Sequence, residues 1–398
     1  MDGFWLDWVT FALRWLHVIV AIAWIGASFY FIWLDQSLVT PSPEKAERGL
    51  KGELWAIHGG GIYEVGKYRL APPRMPEHLH WFKWEAYTTW LSGFALLLAL
   101  YYTRADSYLI GATTWVQTAP AAIAASLLFL LATLALYELA LRSPLQRHQA
   151  AFALLITGVV YAASWLAWQL FTPRAATLHV GAALATIMAG NVFLGIIPAQ
   201  KTLVAAIAAG TEPDPRPAAL AKVRSTHNNY FTLPVLFCML ANHAPFFHSH
   251  AMAWLLLPCF AVAAAVARHY FNQRNLGNNQ PLWLVAAAVM ACLLVFASRP
   301  ADVPAAASQG TAAKEEVAAI LTSHCAACHA ATPTFAGYAS APAGLVFDTP
   351  EALHATTNGM TPERVSNAIR SGYMPLGNMH AMTDKERAVL LAWIADPH

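Results

Sequence analysis

The chain has 398 residues, of which 57% are hydrophobic and only 12% charged, with 22 glycines besides. Soluble globular domains run at about 45–50% apolar and about 25% charged residues, so a wholly water-soluble protein does not fit this composition. The net charge is +2, but residues 314–398 hold five Lys/Arg and eight Asp/Glu, which makes that segment −3 and the remainder +5, and no basic patch points to nucleic acid.

Apolar runs of about 20 residues, the length that crosses a bilayer, fall at roughly 8–33, 85–103, 118–141, 149–171, 175–198, 229–246, 252–271 and 281–298. They lack the charged face of a soluble bundle helix, and they predict an all-α, eight-helix transmembrane bundle over residues 1–298. The first run starts without a basic n-region and is too long for a signal-peptide core, so it is expected to stay attached. It carries His17 and, seven and nine residues on, Trp24 and Gly26, a spacing like that of the first helix of small haem-binding membrane proteins.

Between the first two runs, His58-Gly59-Gly60-Gly61-Ile62-Tyr63-Glu64 leads to Pro72-Pro73-Arg74 and then to His78, His80, Trp81, Lys83 and Trp84. This reads either as a loop that binds a ligand or as an interfacial belt of aromatic and basic residues. Arg14 and Glu138 are isolated charges at membrane depth. They fall at opposite faces and are not expected to pair, and Arg14 can snorkel outward. Aligning Leu16-His17-Val18 with Leu178-His179-Val180 also matches Ala21, Ala23, Ile25, Ala27 and Phe31 with Ala183, Ala185, Ile187, Ala189 and Phe193, which divides the eight helices into four plus four. His227-Asn228-Asn229-Tyr230 enters the sixth run with three side chains able to donate and accept hydrogen bonds, as a heterocycle with amide edges requires. The alternative is that the asparagines cap the helix.

Loop charges set the orientation. Fifteen Lys/Arg fall in one set of alternate loops, from Lys45 to Arg274, and only Arg104, Arg174 and Arg299 in the other. The positive-inside rule makes the rich set cytoplasmic and puts both chain ends outside. His17, His179 and His243 then lie in the outer half, and His80, His227 and His269 near the inner face. Two imidazoles from different helices can clamp a b-type haem. His17 and His179, with His243 as an alternative, are the candidates, against the reading that each is simply hydrogen-bonded in place.

Residues 299–313, rich in Ala, Pro and Ser, read as a flexible linker, and residues 314–398 as a separate outer domain. Within it, Cys325-Ala326-Ala327-Cys328-His329 is the pattern of c-type haem attachment, in which two thiols bond the porphyrin and the adjacent His ligates iron. A zinc half-site is the alternative, but no second ligand pair follows. With an amphipathic Lys314–Thr322 before the motif, Met374-Pro375 after it and Thr383-Asp384-Lys385-Glu386 opening a last helix, the segment resembles a small class I cytochrome c. That resemblance implies Met374 as sixth iron ligand, with Met379 and Met382 as rivals, and haem attachment outside the cytoplasmic membrane of a bacterium. The other three cysteines, Cys238, Cys259 and Cys292, lie in apolar runs and form no disulfide framework.

As a whole the chain resembles the integral membrane urate oxidases, also called urate hydroxylases, that end in a cytochrome c domain. The resemblance rests on the eight runs, the Gly59-Gly60-Gly61 loop, His227-Asn228-Asn229-Tyr230 through Leu233-Pro234-Val235-Leu236-Phe237, Arg268-His269-Tyr270, Cys325 to His329 and Met374-Pro375-Leu376-Gly377-Asn378. It implies oxidation of urate to 5-hydroxyisourate with water as the oxygen source, and electrons leaving through haem c to a soluble cytochrome c or a terminal oxidase. Urate releases two electrons and one haem c takes one, which argues for a second, membrane haem b. Flavin, molybdenum and copper sites are not expected. Two other classes share the chassis: a dehydrogenase of quinol or another small molecule, and a non-enzymatic membrane-tethered electron carrier.

Overall fold

The computed structural model describes residues 3–248, 250–299, 313–335, 340–357, 359–370, 372–378 and 381–396. It is mostly helical. Helix α1 spans Gly3–Gln36; α2, Trp84–Leu96, continues through a π turn, Leu97–Tyr101; α3 is Ala119–Arg142 and α4 Gln149–Leu170. Helix α5, Pro173–Ala208, contains a second π turn, Asn191–Ile196; α6 is Pro215–Ala241, α7 Ala253–Asn275 and α8 Leu282–Ala297. A helix therefore stands at each of the eight predicted runs. Five of them, α1 from Trp8, α3, α4, α5 and α7, are long and apolar enough to cross a membrane, consistent with a membrane protein. Of the other three, α2 is interrupted by its π turn, α6 carries Arg224 to Asn229 through its middle and α8 has only 16 residues.

Local chemistry accounts for the breaks. Pro198 has no N–H and its ring crowds the carbonyl one turn back; the π turn just before it widens the helix and absorbs that conflict. Helix α6 begins fourteen residues ahead of its apolar run, where Asp214 accepts from Arg216 N at 2.9 Å. Asn228 and Asn229 are consequently helix-interior residues, and the capping reading of them is overturned.

The expectation of an all-α chain is corrected by one hairpin. Strands β1, Leu50–His58, and β2, Gly61–Tyr68, pair antiparallel with His58 opposite Gly61. The two-residue connection has positive φ at both positions, 57° at Gly59 and 80° at Gly60, the geometry of the hairpin turn whose twist matches its strands and which glycine adopts without strain. Lys45 pairs with Glu53 and Glu64 across the two strands.

Helix α1 packs against α2 and α6, and α5 against α6 and α2. The main core lies between α2, α3, α4, α5, α6 and α7, around Leu109, Phe129, Phe171 and Leu257. Large apolar side chains such as Trp15, Ile22, Leu128, Leu154 and Leu293 stay exposed on the outside of the bundle, an unusual surface for a water-soluble monomer.

The C-terminal residues have their own core. Helices α9, Lys314–His324, α10, Pro362–Arg370, and α11, Asp384–Ala395, enclose Val317, Leu321, Leu353, Ile369, Leu390 and Trp393. The capping box read from Thr383 and Glu386 is present. The expected linker falls, apart from its two ends, outside the described residues. Ser107, Thr172 and His248 share a cleft of about 350 Å³ with Tyr373 and Arg387 of the C-terminal part.

Candidate functional site

Two places gather chemistry-bearing side chains, one inside the helical part and one in the C-terminal part. The first is a cavity of about 460 Å³ at the end of the bundle reached by the Lys/Arg-rich loops, within the range of small-molecule pockets. Trp24, Ser28 and Phe31 of α1, His80, Trp81 and Phe82 of the segment after the hairpin, Gln200 of α5, and Ser225 and Asn228 of α6 line it. The hairpin tip at Gly59-Gly60 is not among the lining residues; Leu70, Pro72 and Met75 are. The glycine-rich stretch thus makes a turn, and the proline-containing stretch behind it makes the wall.

Asn228 is tied into a buried polar network. Arg224, 5% exposed, donates through Nη2 to Glu138 Oε2 at 2.8 Å and through Nη1 to Glu138 Oε1 and to Asn191 Oδ1, the latter at 2.8 Å. An arginine has only donors, so the Asn191 amide must turn its oxygen toward Arg224. Its nitrogen then donates to Tyr137 Oη at 3.0 Å and to Asn228 Oδ1 at 2.8 Å. Asn228 Nδ2 in turn donates to Met188 O at 3.0 Å. The Tyr137 hydroxyl, which accepts from Asn191, also hydrogen-bonds His227 Nδ1 at 2.8 Å. One buried charge thus fixes the direction of the bonds from Arg224 through Asn191 to Asn228 and Tyr137. Glu138 stands apart from Arg14, as expected, but its partner Arg224 was counted among loop cations. Only the N-terminal extension of α6 brings the two together.

The three residues of the His-Asn-Asn motif go to three different places, because successive helical side chains point about 100° apart. His227 lies against Tyr137 and is stacked on Phe152 with ring centroids 4.9 Å apart. Asn228 lines the cavity. Asn229, fully buried, faces α7, where its Oδ1 accepts from Arg268 Nε at 2.9 Å and from Asn272 Nδ2 at 3.0 Å. They do not converge on one ligand.

His17 and His179 are not brought together by any contact. His17 Nδ1 meets Thr89 O at 3.1 Å and Ser92 Oγ at 3.0 Å on α2. His179 is fully buried with both ring nitrogens engaged, Nε2 with Ser126 Oγ at 2.6 Å and Nδ1 with Ala175 O at 2.7 Å, and its ring stacks on Phe171 at 4.1 Å. His243 is exposed in the turn after α6. A haem iron needs a free imidazole nitrogen and open space at the ring edge, and His179 offers neither, so the residues present do not fit a haem held between His17 and His179. Among the described residues no three His, Cys, Asp or Glu side chains group as metal ligands.

The second place is the C-terminal motif. The single helical turn Ala326–His329 follows α9 directly, and His329 N donates to Cys325 O at 2.8 Å, which holds Cys325 and His329 on one side of that turn. His329 is nearly buried; its Nδ1 donates to Leu345 O at 2.9 Å, which leaves Nε2 as the ring's metal-binding atom. Burial lowers the His329 pKa, against a smaller opposing effect of the Leu345 carbonyl, and so favours the neutral imidazole that ligation needs. Burial pushes the Cys325 thiol up to about 12 and Cys328 in the same direction; both are free thiols. These donors fit a covalently attached haem with one histidine ligand.

Of the candidate sixth ligands, Met382 is 4% exposed and packed in the core with Leu390 and Trp393. Met379 lies outside the described residues. Met374 is partly exposed, and its backbone is clamped: its N–H donates to Ala368 O at 3.0 Å, and its carbonyl accepts at 2.8 Å from Arg387, which also holds Ile369 O and Asn378 Oδ1. Arg387 was not anticipated from the sequence, where it reads as one more helix-surface cation.

The family model described as urate oxidase N-terminal matches residues 3–299. The chain belongs to that family. The match spans all eight long helices and both buried networks and stops before the Cys-x-x-Cys-His motif. Neither the curated proteins nor the solved structures contain a match. Family membership supports an oxidoreductase acting on urate.

Proposed function

We propose that the protein oxidises urate to 5-hydroxyisourate at the α1–α5–α6 cavity, with water as the co-substrate, and passes the electrons to a haem c held by Cys325, Cys328 and His329. Urate and water give 5-hydroxyisourate, two protons and two electrons, so the protein must move electrons away singly. The observation that carries the reading is Asn228, a side-chain amide with both its atoms fixed by Asn191 and Met188, at the wall of a cavity lined by Trp24, Phe31, Trp81 and Phe82. Aromatic faces hold a flat heterocycle by stacking, and an oriented amide reads its N–H and C=O edge.

In this reading Cys325 and Cys328 would anchor the haem, His329 and Met374 would ligate its iron, and Arg387 fixes the loop that carries Met374. When bound, the haem supplies a one-electron acceptor. The positive-inside orientation would put the cavity near the cytoplasmic face and the C-terminal part in the periplasm of a bacterial inner membrane, so this reading requires a one-electron relay across most of about 30 Å of hydrocarbon before electrons leave to a soluble cytochrome c or a terminal oxidase. No step through a second haem is derived at His17 and His179.

Membranes containing the full chain are the test. Urate added without oxygen should reduce the haem c α band, and Asn228→Ala should weaken that response by about tenfold or more, the loss of a buried hydrogen bond with its partner left unpaired. A spectrum that stays oxidised with urate while quinol reduces it would refute the proposal.

A further inference from the structure

Among the described residues that line the α1–α5–α6 cavity, His80 alone carries an acid–base side chain; the others are apolar, aromatic, hydroxyl or amide groups. The chemistry proposed for that cavity releases a proton there. Urate monoanion and water give 5-hydroxyisourate, one proton and two electrons. The purine ring gives up the two electrons, a lone pair of the water oxygen closes the bond to C5, and one O–H bond of that water breaks with its electron pair staying on oxygen. The electrons leave singly to the one-electron acceptor of the proposed function, and the proton calls for a base at the cavity wall.

The fold braces this ring and leaves its nitrogens open. Trp81, next in the chain, packs with Ala86, Val192 and Ile197 in a small core of its own. The Phe82 ring meets Phe31 of α1 at 4.7 Å and the His80 ring at 4.6 Å, edge to face in both contacts. No hydrogen bond to another described residue engages the His80 ring, whereas His17, His179, His227 and His269 each have a ring nitrogen at a neighbouring hydroxyl. His80 is also exposed, so a proton it collects can pass on to water at the Lys/Arg-rich end. The other charges on the walls are paired or lie outside the lining. Asp35 of α1 pairs with Lys67 and Lys222, and Arg224 of α6 with Glu138. Arg74, Glu77, His78 and Lys83 on the same segment, and Lys201 of α5, are not lining residues.

We infer that His80 is the catalytic base of the cavity, taking on a ring nitrogen the proton that water loses as its oxygen bonds to C5, while Asn228 holds the purine by its amide edge. The inference rests on the urate-oxidising reading and adds a proton-transfer role to a cavity otherwise assigned only to binding. The division follows from the side chains. Asn228 has both amide atoms engaged within the protein, and the hydroxyls of Ser28 and Ser225 and the amide of Gln200 are far too weakly basic to take a proton near neutral pH, where an imidazole does so readily.

The test uses the purified full chain in detergent with excess oxidised soluble cytochrome c, and follows urate consumption beside equilibrium binding of urate. His80→Ala should lower kcat by about a hundredfold or more, the worth of a positioned general base, and leave urate binding within about threefold of the parent. His80→Gln, which keeps the bulk and loses the basicity, should lose as much. Added imidazole should restore part of the rate of His80→Ala, and substituted imidazoles should restore more as their basicity rises; a ring needed only for its contact with Phe82 would not follow basicity. A kcat within about twofold of a urate-oxidising parent, a loss confined to urate binding, or a rate that no imidazole restores in order of basicity overturns this inference alone. A parent that neither binds nor oxidises urate overturns the functional reading and this inference with it.

Discussion

Gly195 lies in the π turn of α5 against the Arg224 side chain. A Cβ there would overlap Arg224 Cδ and Nε and sit 2.9 Å from Cζ. Gly195→Ala must therefore push the guanidinium off Glu138 and Asn191. Separating a buried ion pair costs about 3–5 kcal/mol, and replacing helical glycine by alanine returns about 1 kcal/mol, so a net loss of about 2–4 kcal/mol is expected. Two other glycines calibrate the measurement. Gly158 has nothing within 4 Å of an added Cβ, and Gly158→Ala should stabilise by about 0.5–1 kcal/mol. At Gly190 the nearest atom is Leu134 Cδ1 at 2.7 Å, the end of a side chain that can turn aside, so the cost should be about 1–3 kcal/mol at most. Equilibrium unfolding of the full chain in mixed detergent reads all three. The ion pair is isolated by repeating Gly195→Ala in a Glu138→Leu, Arg224→Leu background, where its penalty should largely vanish. If Gly195→Ala is as stable as Gly158→Ala, or if its cost survives in that background, the Arg224 explanation is wrong.

Two more outcomes follow from the C-terminal part. Glu386 is held down to about 2 by the Thr383 backbone N–H, the Thr383 hydroxyl and His324. A carboxylate whose folded pKa is depressed contributes stability that is present above its ordinary value and lost as pH falls through the folded one, so protection of the amides in residues 384–395, corrected for intrinsic exchange, should fall between pH 4.5 and about 2. Thr383→Ala should flatten that dependence and cost about 1 kcal/mol; an unchanged pH profile would show that the cap is not what holds Glu386. On the proposed haem attachment, Met374→Leu should lower the midpoint potential of that haem, because methionine ligation raises it, whereas Met382→Leu should leave the potential in place and cost under about 1.5 kcal/mol as a core swap of similar volume. The reverse assignment of the two effects would make Met382 the ligand.

The amino-acid sequence by itself determined that a helix would stand at each of the eight apolar runs, because an apolar stretch satisfies its backbone most readily within itself, but not that α6 would begin fourteen residues ahead of its run. It also determined the Cys325, Cys328 and His329 triplet, since those three positions are joined by a single helical turn and need no other element to bring them together. The Thr383 capping box was legible for the same reason. The Gly59-Gly60 turn was legible in principle, through glycines flanked by strand-like residues, but the surrounding prolines and aromatics pointed to a loop. What lay beyond the sequence was every relation between helices. The pairing of Glu138 with Arg224, 86 residues apart, depends on the rotation of α3 and α6 about their axes. The dispersal of His227, Asn228 and Asn229 depends on their being inside a helix and not at its start. His17 and His179, alike in local sequence, meet different neighbours, because what a side chain touches is set by the helices packed around it, and only the tertiary structure decides that.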